Sequence, residues 1–354
     1  MIPIFSAKSA TSAPTKSRRT RTKVATTPLV LGKTKRTILL LLARHLFLRA
    51  DQLCTIAFGR SLPFIQANLR ELHGAGWVLR APYLRDSDVG KAPYVYTLNT
   101  PAWEWVAEQG LPTPERFRPS EEIGKASPHT MDISAFGVAL EHFCRSTPAV
   151  QIAQYRHERV LPFTPVRLPN GTSRRLRPDA WVQLAIARPE GIKQRCFVYE
   201  ADRSSEYQKD FREKIQALLA YRKDAYRQQF GTESIAILFT VPTPHRHTLV
   251  RAYIEAEITA HETLGGKPVR PDLFWITEAD PRQLDAALFT APVWSHPFRD
   301  ERVALLDPGI SAAGGHEDAF SAHFLGEHGM LRFYQNLNER PPMTSLETDL
   351  EAIV

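Results

Sequence analysis

Pro178-Asp179 and the run Phe197-Val198-Tyr199-Glu200-Ala201-Asp202-Arg203 set three carboxylates at the ends of two apolar stretches. Side chains alternate along an extended chain, so Glu200 and Asp202 share a face with Cys196 and Val198. Strands are predicted over Asp179–Ile186 and Cys196–Asp202, joined by the turn-forming stretch 187–195. A hairpin centred on Pro189-Glu190 sets Asp179 opposite Glu200; one centred on Glu190-Gly191 sets it opposite Asp202. Cross-strand neighbours lie roughly 5 Å apart at Cβ, so the three acids converge in either register. A cation or a shared proton must relieve that repulsion. Hard oxygen ligands of this kind suit Mg²⁺ or Mn²⁺.

The elements that position these acids follow from the hydrophobic pattern. Met131–Arg145 has helical spacing, and Gln151–Leu161 reads as a first strand ahead of the two acid-bearing ones. A helix over Glu206–Gln229 carries Phe211, Ile215, Leu218 and Tyr221 at core spacing. The apolar run Ser234–Val241 reads as a buried central strand. A helix over Arg246–Glu262 and a strand over Asp272–Thr277 complete an αβββαβαβ order, a mixed α/β layer structure.

Ahead of this lies a smaller pattern. Helices are expected over Lys35–Leu48, from Arg49 towards Phe58, and over Leu62–Gly74, the last with Ser61 as N-cap and Pro63 in its first turn. Strands Trp77–Arg80 and Pro93–Leu98 flank the polar turn 85–91. Three helices and a hairpin are the winged helix-turn-helix order. In the third helix Ile65, Leu69 and Leu72 form the inward stripe. Gln66, Arg70 and His73 fall outward, where a recognition helix meets base edges and phosphates. Arg60 before that helix, with Arg85 and Lys91 on the wing, extends the candidate DNA contacts.

Composition bounds the rest. The 354 residues suffice for two domains, and the formal charge of +7 favours a polyanionic partner. No apolar run reaches the ~20 residues of a membrane span, and the basic N-terminus lacks a signal-peptide core. Cys54, Cys144 and Cys196 form no CxxC pair, which argues for a reducing, cytoplasmic setting and against zinc. The expected organisation is a basic disordered arm (1–33), a winged helix-turn-helix (34–109), a linker (110–128), an acid-bearing domain (129–296) and a loosely packed tail (297–354).

The order helix, strand, strand with Pro-Asp, strand with Glu, helix, strand resembles the core of the PD-(D/E)XK nuclease superfamily. Glu200-Ala201-Asp202-Arg203-Ser204-Ser205-Glu206, with Lys214 and Tyr221 on the next helix and a winged helix in front, looks like the replication-relaxation family of plasmids and other mobile elements. His129-Thr130 ahead of the first helix also resembles that family's pattern. The resemblance covers roughly Thr34 to Thr277. It implies an α/β chain with a winged helix followed by a restriction-endonuclease-like mixed sheet, and double-stranded DNA as partner, alongside other replication or transfer proteins of the element.

The resemblance also distributes roles. Asp179 and Glu200 would hold Mg²⁺ or Mn²⁺, with Asp202 as a further ligand or as base for the attacking water. Glu141 on the leading helix or Glu158 on the first strand would add a ligand. The superfamily's usual Lys is replaced by Asp202, so Lys214 or Arg203 would stabilise transition-state charge. The alternative implied is a non-catalytic DNA-binding regulator or accessory factor of replication or transfer, with a degenerate nuclease fold. His245 and His247, at i and i+2, do not share a helix face and are read as a loop-to-helix junction rather than a metal pair. Trp103, Trp105, Tyr94 and Tyr96 are read as packing of the winged helix.

Overall fold

The apolar run after Lys35 lies in helix α1 (Lys33–His45), whose stripe of Ile38, Leu39, Leu41 and Leu42 is buried. The computed structural model describes residues 29–56, 60–83, 92–115, 117–189, 191–222, 224–280 and 284–306. After α1 come strand β1 (Leu48–Arg49), α2 (Ala50–Ile56), α3 (Leu62–Gly74), β2 (Val78–Pro82) and β3 (Tyr94–Leu98). The strands form an antiparallel sheet in the order β1-β3-β2. Helix α3 has the span its pattern predicts, with Ile65, Leu69 and Leu72 buried. A further helix, α4 (Thr100–Glu108), closes this core with Ala102 and Val106. The expected basic arm before residue 29, the turn carrying Arg85 and Lys91, and the tail beyond 306 lie outside the described residues.

The expected linker is partly built into the fold. It holds the short helix α5 (Pro119–Glu122) and a 3-10 turn, Ile123–Lys125, and it buries Leu111 and Phe117.

The rest of the chain runs α6 (Pro128–Ser146), β4 (Val150–His157), β5 (Thr164–Arg167), β6 (Ser173–Leu176), β7 (Ala180–Arg188), β8 (Gly191–Ala201), α7 (Gln208–Tyr221), α8 (Asp224–Phe230), β9 (Ala236–Val241), α9 (Pro244–Thr263), β10 (Phe274–Glu278), β11 (Trp294–Ser295) and β12 (Arg302–Val303). Seven strands form one mixed sheet, ordered β12-β11-β10-β9-β8-β7-β4. Its centre, β8-β9-β10, is parallel, and the pairs on both flanks are antiparallel. Alternation along β8 sends Phe197 and Tyr199 to the face covered by α6, and Cys196 and Val198 to the face covered by α7 and α9.

Three differences from the pattern stand out. The helix expected over 206–229 is two helices, α7 and α8. The hairpin β5–β6 has no counterpart among the expected strands. The sheet also runs past residue 296, because Trp294, Leu305 and Leu306 fill the end of the core beside Phe289. No described helix is long and apolar enough to cross a membrane.

Helix α6 joins the two parts of the molecule. Its Val138 enters the core of α1–α4, and its Met131 packs with Phe47, Val95 and Phe117. Arg44 at the end of α1 reaches Glu141 of α6 at 2.6 Å. Between these contacts His45 lies over Gly137, where an added Cβ would come within 2.5 Å of the imidazole Nδ1 and 3.0 Å of Tyr155. Both neighbours are buried and cannot swing aside. Gly137→Ala should therefore destabilise the protein by about 1–3 kcal/mol through overpacking, read as a lower midpoint in urea. A midpoint equal to wild type would mean that this interface yields.

Candidate active site

The hairpin β7–β8 pairs Ala180 with Tyr199 and closes with Arg188 opposite Gly191. Of the two alignments open to the sequence, this is the one that sets Asp179 opposite Glu200. Asp179 sits just ahead of β7 and is anchored on three sides. Its Oδ2 accepts the Ala201 N–H at 2.7 Å, and its Oδ1 lies 3.0 Å from His129 Nε2. Its backbone carbonyl accepts the N–H of Glu158, in the turn after β4, at 2.7 Å. The candidate ligand atoms of His129, Glu158 and Asp179 all lie within 4.8 Å of one another.

Glu200, from the buried end of β8, meets α7 rather than solvent. Lys214 Nζ lies 2.7 Å from its Oε2 and 3.4 Å from Glu206. Beyond that ion pair neither Glu200 oxygen has a hydrogen bond. Among His129, Glu158 and Asp179 the most solvent-exposed is His129, with a third of its side chain accessible, so these three meet solvent at the first turn of α6.

Charge is divided unevenly between the two carboxyls. Burial pushes Glu200 upward and the Asp179 charge adds to this, against the pull of Lys214. Burial works the same way on Asp179, but His129 and Lys214 overcome it and hold Asp179 below its ordinary value. Burial would lower His129, yet Asp179 outweighs it and raises the imidazole from 6.5 to about 9. Lys214 is likewise raised against burial, by Glu200 and Asp179. Asp179 is thus the committed anion, and Glu200 is the carboxyl that can change protonation more readily.

This has a pH signature. The folded-state pKa of His129, about 9, lies above the ordinary histidine value of 6.5. The imidazolium–Asp179 pair therefore contributes its full stability below pH 6.5 and loses it as the pH rises through about 9. The melting temperature of metal-free protein should fall across that window, and His129→Gln should flatten the slope. A wild-type profile as flat as the variant's would count against the pair.

Several sequence candidates lie elsewhere. Asp202 does not join the cluster: Arg246, in the first turn of α9, binds both its oxygens at 2.5 and 3.1 Å. Arg203 turns to Asp132 of α6 at 2.6 Å. Glu141 is no neighbour of the site, since twelve residues along α6 separate it from His129, about 18 Å of helix. It is clasped by Arg44 and Arg145, which with His45 hold its carboxyl low despite burial. Glu158 does stand beside Asp179, with Arg159 and Arg177 on its oxygens.

On α3, Gln66 and Arg70 are exposed as expected. His73 is half-buried and its Nδ1 lies 3.1 Å from the Val78 carbonyl, so it packs rather than points outward. Arg60 is exposed and lies over the Phe64 ring at 5.5 Å. Arg85 and Lys91 fall outside the described residues. His245 and His247 sit in the first turn of α9, capped by Thr243, and His247 bonds Ser295 at 2.7 Å.

Sequence reasoning did not assign His129 a part in the site. Its signal was the His129-Thr130 pair at a helix start, part of the family resemblance, fifty residues from Asp179. Among known proteins, the replication-relaxation family model matches residues 39–235, more than half of the chain. No curated protein and no solved structure was found to match.

Proposed function

The chain belongs to the replication-relaxation family, and from that membership and the acid site we propose a DNA-binding protein of a plasmid or other mobile element that cuts or nicks its DNA with a divalent cation. Membership points to a role in replication or relaxation of such elements. In this reading the α1–β3 unit is a winged helix that engages double-stranded DNA through Gln66 and Arg70. The mixed sheet is a PD-(D/E)XK-like nuclease core with Asp179 at the entry of β7 and Glu200 in β8.

One observation carries the reading. Lys214 stands 2.7 Å from Glu200 and joins His129 in holding Asp179 low against burial, so a basic group from α7 would take the role that Asp202 leaves vacant on the strand. Lys214 would neutralise charge developing on the phosphoryl oxygens. Glu200, pushed above its ordinary range, would take the proton of the attacking water.

The donor set fits a divalent cation: the carboxylates of Glu158 and Asp179 converge with the His129 imidazole, and His129 can become a ligand once it loses its proton. Such an ion supplies a more acidic water and neutralises phosphate charge. A mixed imidazole–carboxylate set favours Mn²⁺ over Mg²⁺, which keeps to oxygen.

The test is supercoiled plasmid incubated with the purified protein, with and without Mn²⁺ or Mg²⁺. Metal-dependent open-circular or linear product is expected. Plasmid shifted at low salt but never cut would leave a DNA-binding factor of replication or transfer, a reading that the structural capture of Asp202 and Arg203 would then favour. In parallel, Arg70→Glu should weaken duplex binding roughly tenfold and lower the salt slope by about 1. Unchanged duplex affinity would remove α3 from the interface.

A further inference from the structure

The hairpin β5–β6 pairs Thr164 with Leu176 through to Arg167 with Ser173. Val166, Leu168 and Leu176 turn into the core under α7, and Arg174 is tied to Glu213 and to the Asp210 carbonyl. Alternation then leaves Phe163, Arg167, Arg175 and Arg177 on the opposite face. Phe163 is 46% exposed. The guanidinium carbons of Arg175 and Arg177 lie 4.4 and 4.3 Å from its ring centroid. Among the described residues neither Arg167 nor Arg175 pairs with a carboxylate. Arg177 links this face to the acid site, 3.4 Å from Glu158 and two residues ahead of Asp179.

We propose that this face of β5–β6 binds an unpaired DNA strand, with a base against Phe163 and flanking phosphates on Arg167 and Arg175, and leads that strand to the acid site. The leading role rests on the reading of Asp179 and Glu200 as a cleavage centre; the binding surface does not.

Three features define the occupant. Guanidinium groups gathered on one face repel each other; Glu158 offsets Arg177 and the ring offsets Arg175 and Arg177, which leaves Arg167 and Arg175 to draw an anion from outside. A guanidinium over a ring can keep its N–H edge for phosphate oxygens, which makes a polyanionic backbone the matching partner. An exposed phenyl ring stacks on a base face, and a duplex offers its bases only by their edges in the grooves. The partner is therefore a single strand, such as one lifted from a duplex held by α3.

The test uses the full chain with a labelled single-stranded oligonucleotide and its duplex, followed by anisotropy across a salt series, and the plasmid assay alongside. Arg167→Glu/Arg175→Glu should weaken single-strand binding at least tenfold and reduce the salt slope by about 1.4, or about 0.7 for each phosphate no longer neutralised. Phe163→Ala should weaken it roughly tenfold with the slope unchanged. Arg70→Glu should weaken the duplex and spare the single strand.

Wild-type protein that ignores the single strand, or a double reversal within twofold of wild type, overturns the proposal. If the wild type never cuts but the reversal loses single-strand affinity, the surface stands and the cleavage reading falls. If the wild type cuts and the reversal binds and cuts equally well, the cleavage reading stands and the surface falls.

Discussion

Arg246→Ala should cost the protein roughly 3–5 kcal/mol, the range found when one member of a buried ion pair is removed. Arg246 Nε and Nη2 bind the two oxygens of Asp202, and both side chains are almost wholly buried. The guanidinium also lies 4.9 Å from the Phe211 ring centroid, so it seals the junction of β8, α7 and α9. Removing it leaves Asp202 as a charge without a counter-ion or solvent. Replacing the pair together, Arg246→Met with Asp202→Leu, should recover most of the loss, since a packed apolar pair avoids the desolvation penalty. Chemical denaturation of the three proteins decides the matter. An Arg246→Ala loss below about 1 kcal/mol would mean that water reaches Asp202 and that the pair does not lock this junction.

The second large effect is on chemistry. Asp179→Asn should slow metal-dependent plasmid cutting by about a thousandfold or more. Several kcal/mol of transition-state stabilisation are at stake when a metal-binding carboxylate is lost, and each 1.36 kcal/mol is a factor of ten. Asparagine keeps an oxygen to accept the Ala201 N–H, so the strand junction survives. Duplex binding should persist, because α3 is untouched. Lys214→Met should cost about 100- to 1,000-fold by removing the positive charge beside Glu200. An Asp179→Asn protein that cuts at the wild-type rate would take the reaction away from this site altogether.

Local regularities were readable in the sequence, and partners brought from afar were not. The span of α3 followed from its 3.6-residue stripe and from Pro63 in its first turn. The pairing of Asp179 with Glu200 was one of two registers that a short turn allows, and strand geometry alone narrowed it that far. Alternation also put Asp202 on the Glu200 face. What it could not supply was Arg246, forty-four residues on, which neutralises Asp202 and withdraws it from the cluster. His129 and Glu141 show the same limit from the other side. Both belong to α6, and only its tertiary placement decides which end reaches the acids. The strands β5 and β6 were invisible because four residues containing Pro165 or paired arginines lack a clear apolar period.

Helix α6 has a mechanical consequence. Its nineteen residues make a rod of about 28 Å. One end carries His129 into the acid site, and its other half is gripped by Arg44, His45 and the core of α1–α4. The helix therefore acts as an axle between two wheels: whatever the front unit holds is kept at a set spacing and angle from the acids. The gauge is written in residues. A single inserted residue in α6 would turn one end relative to the other by about 100°, so that the Ile133–Phe143 stripe on the sheet and the Met131 and Val138 contacts to the front unit could no longer all be kept.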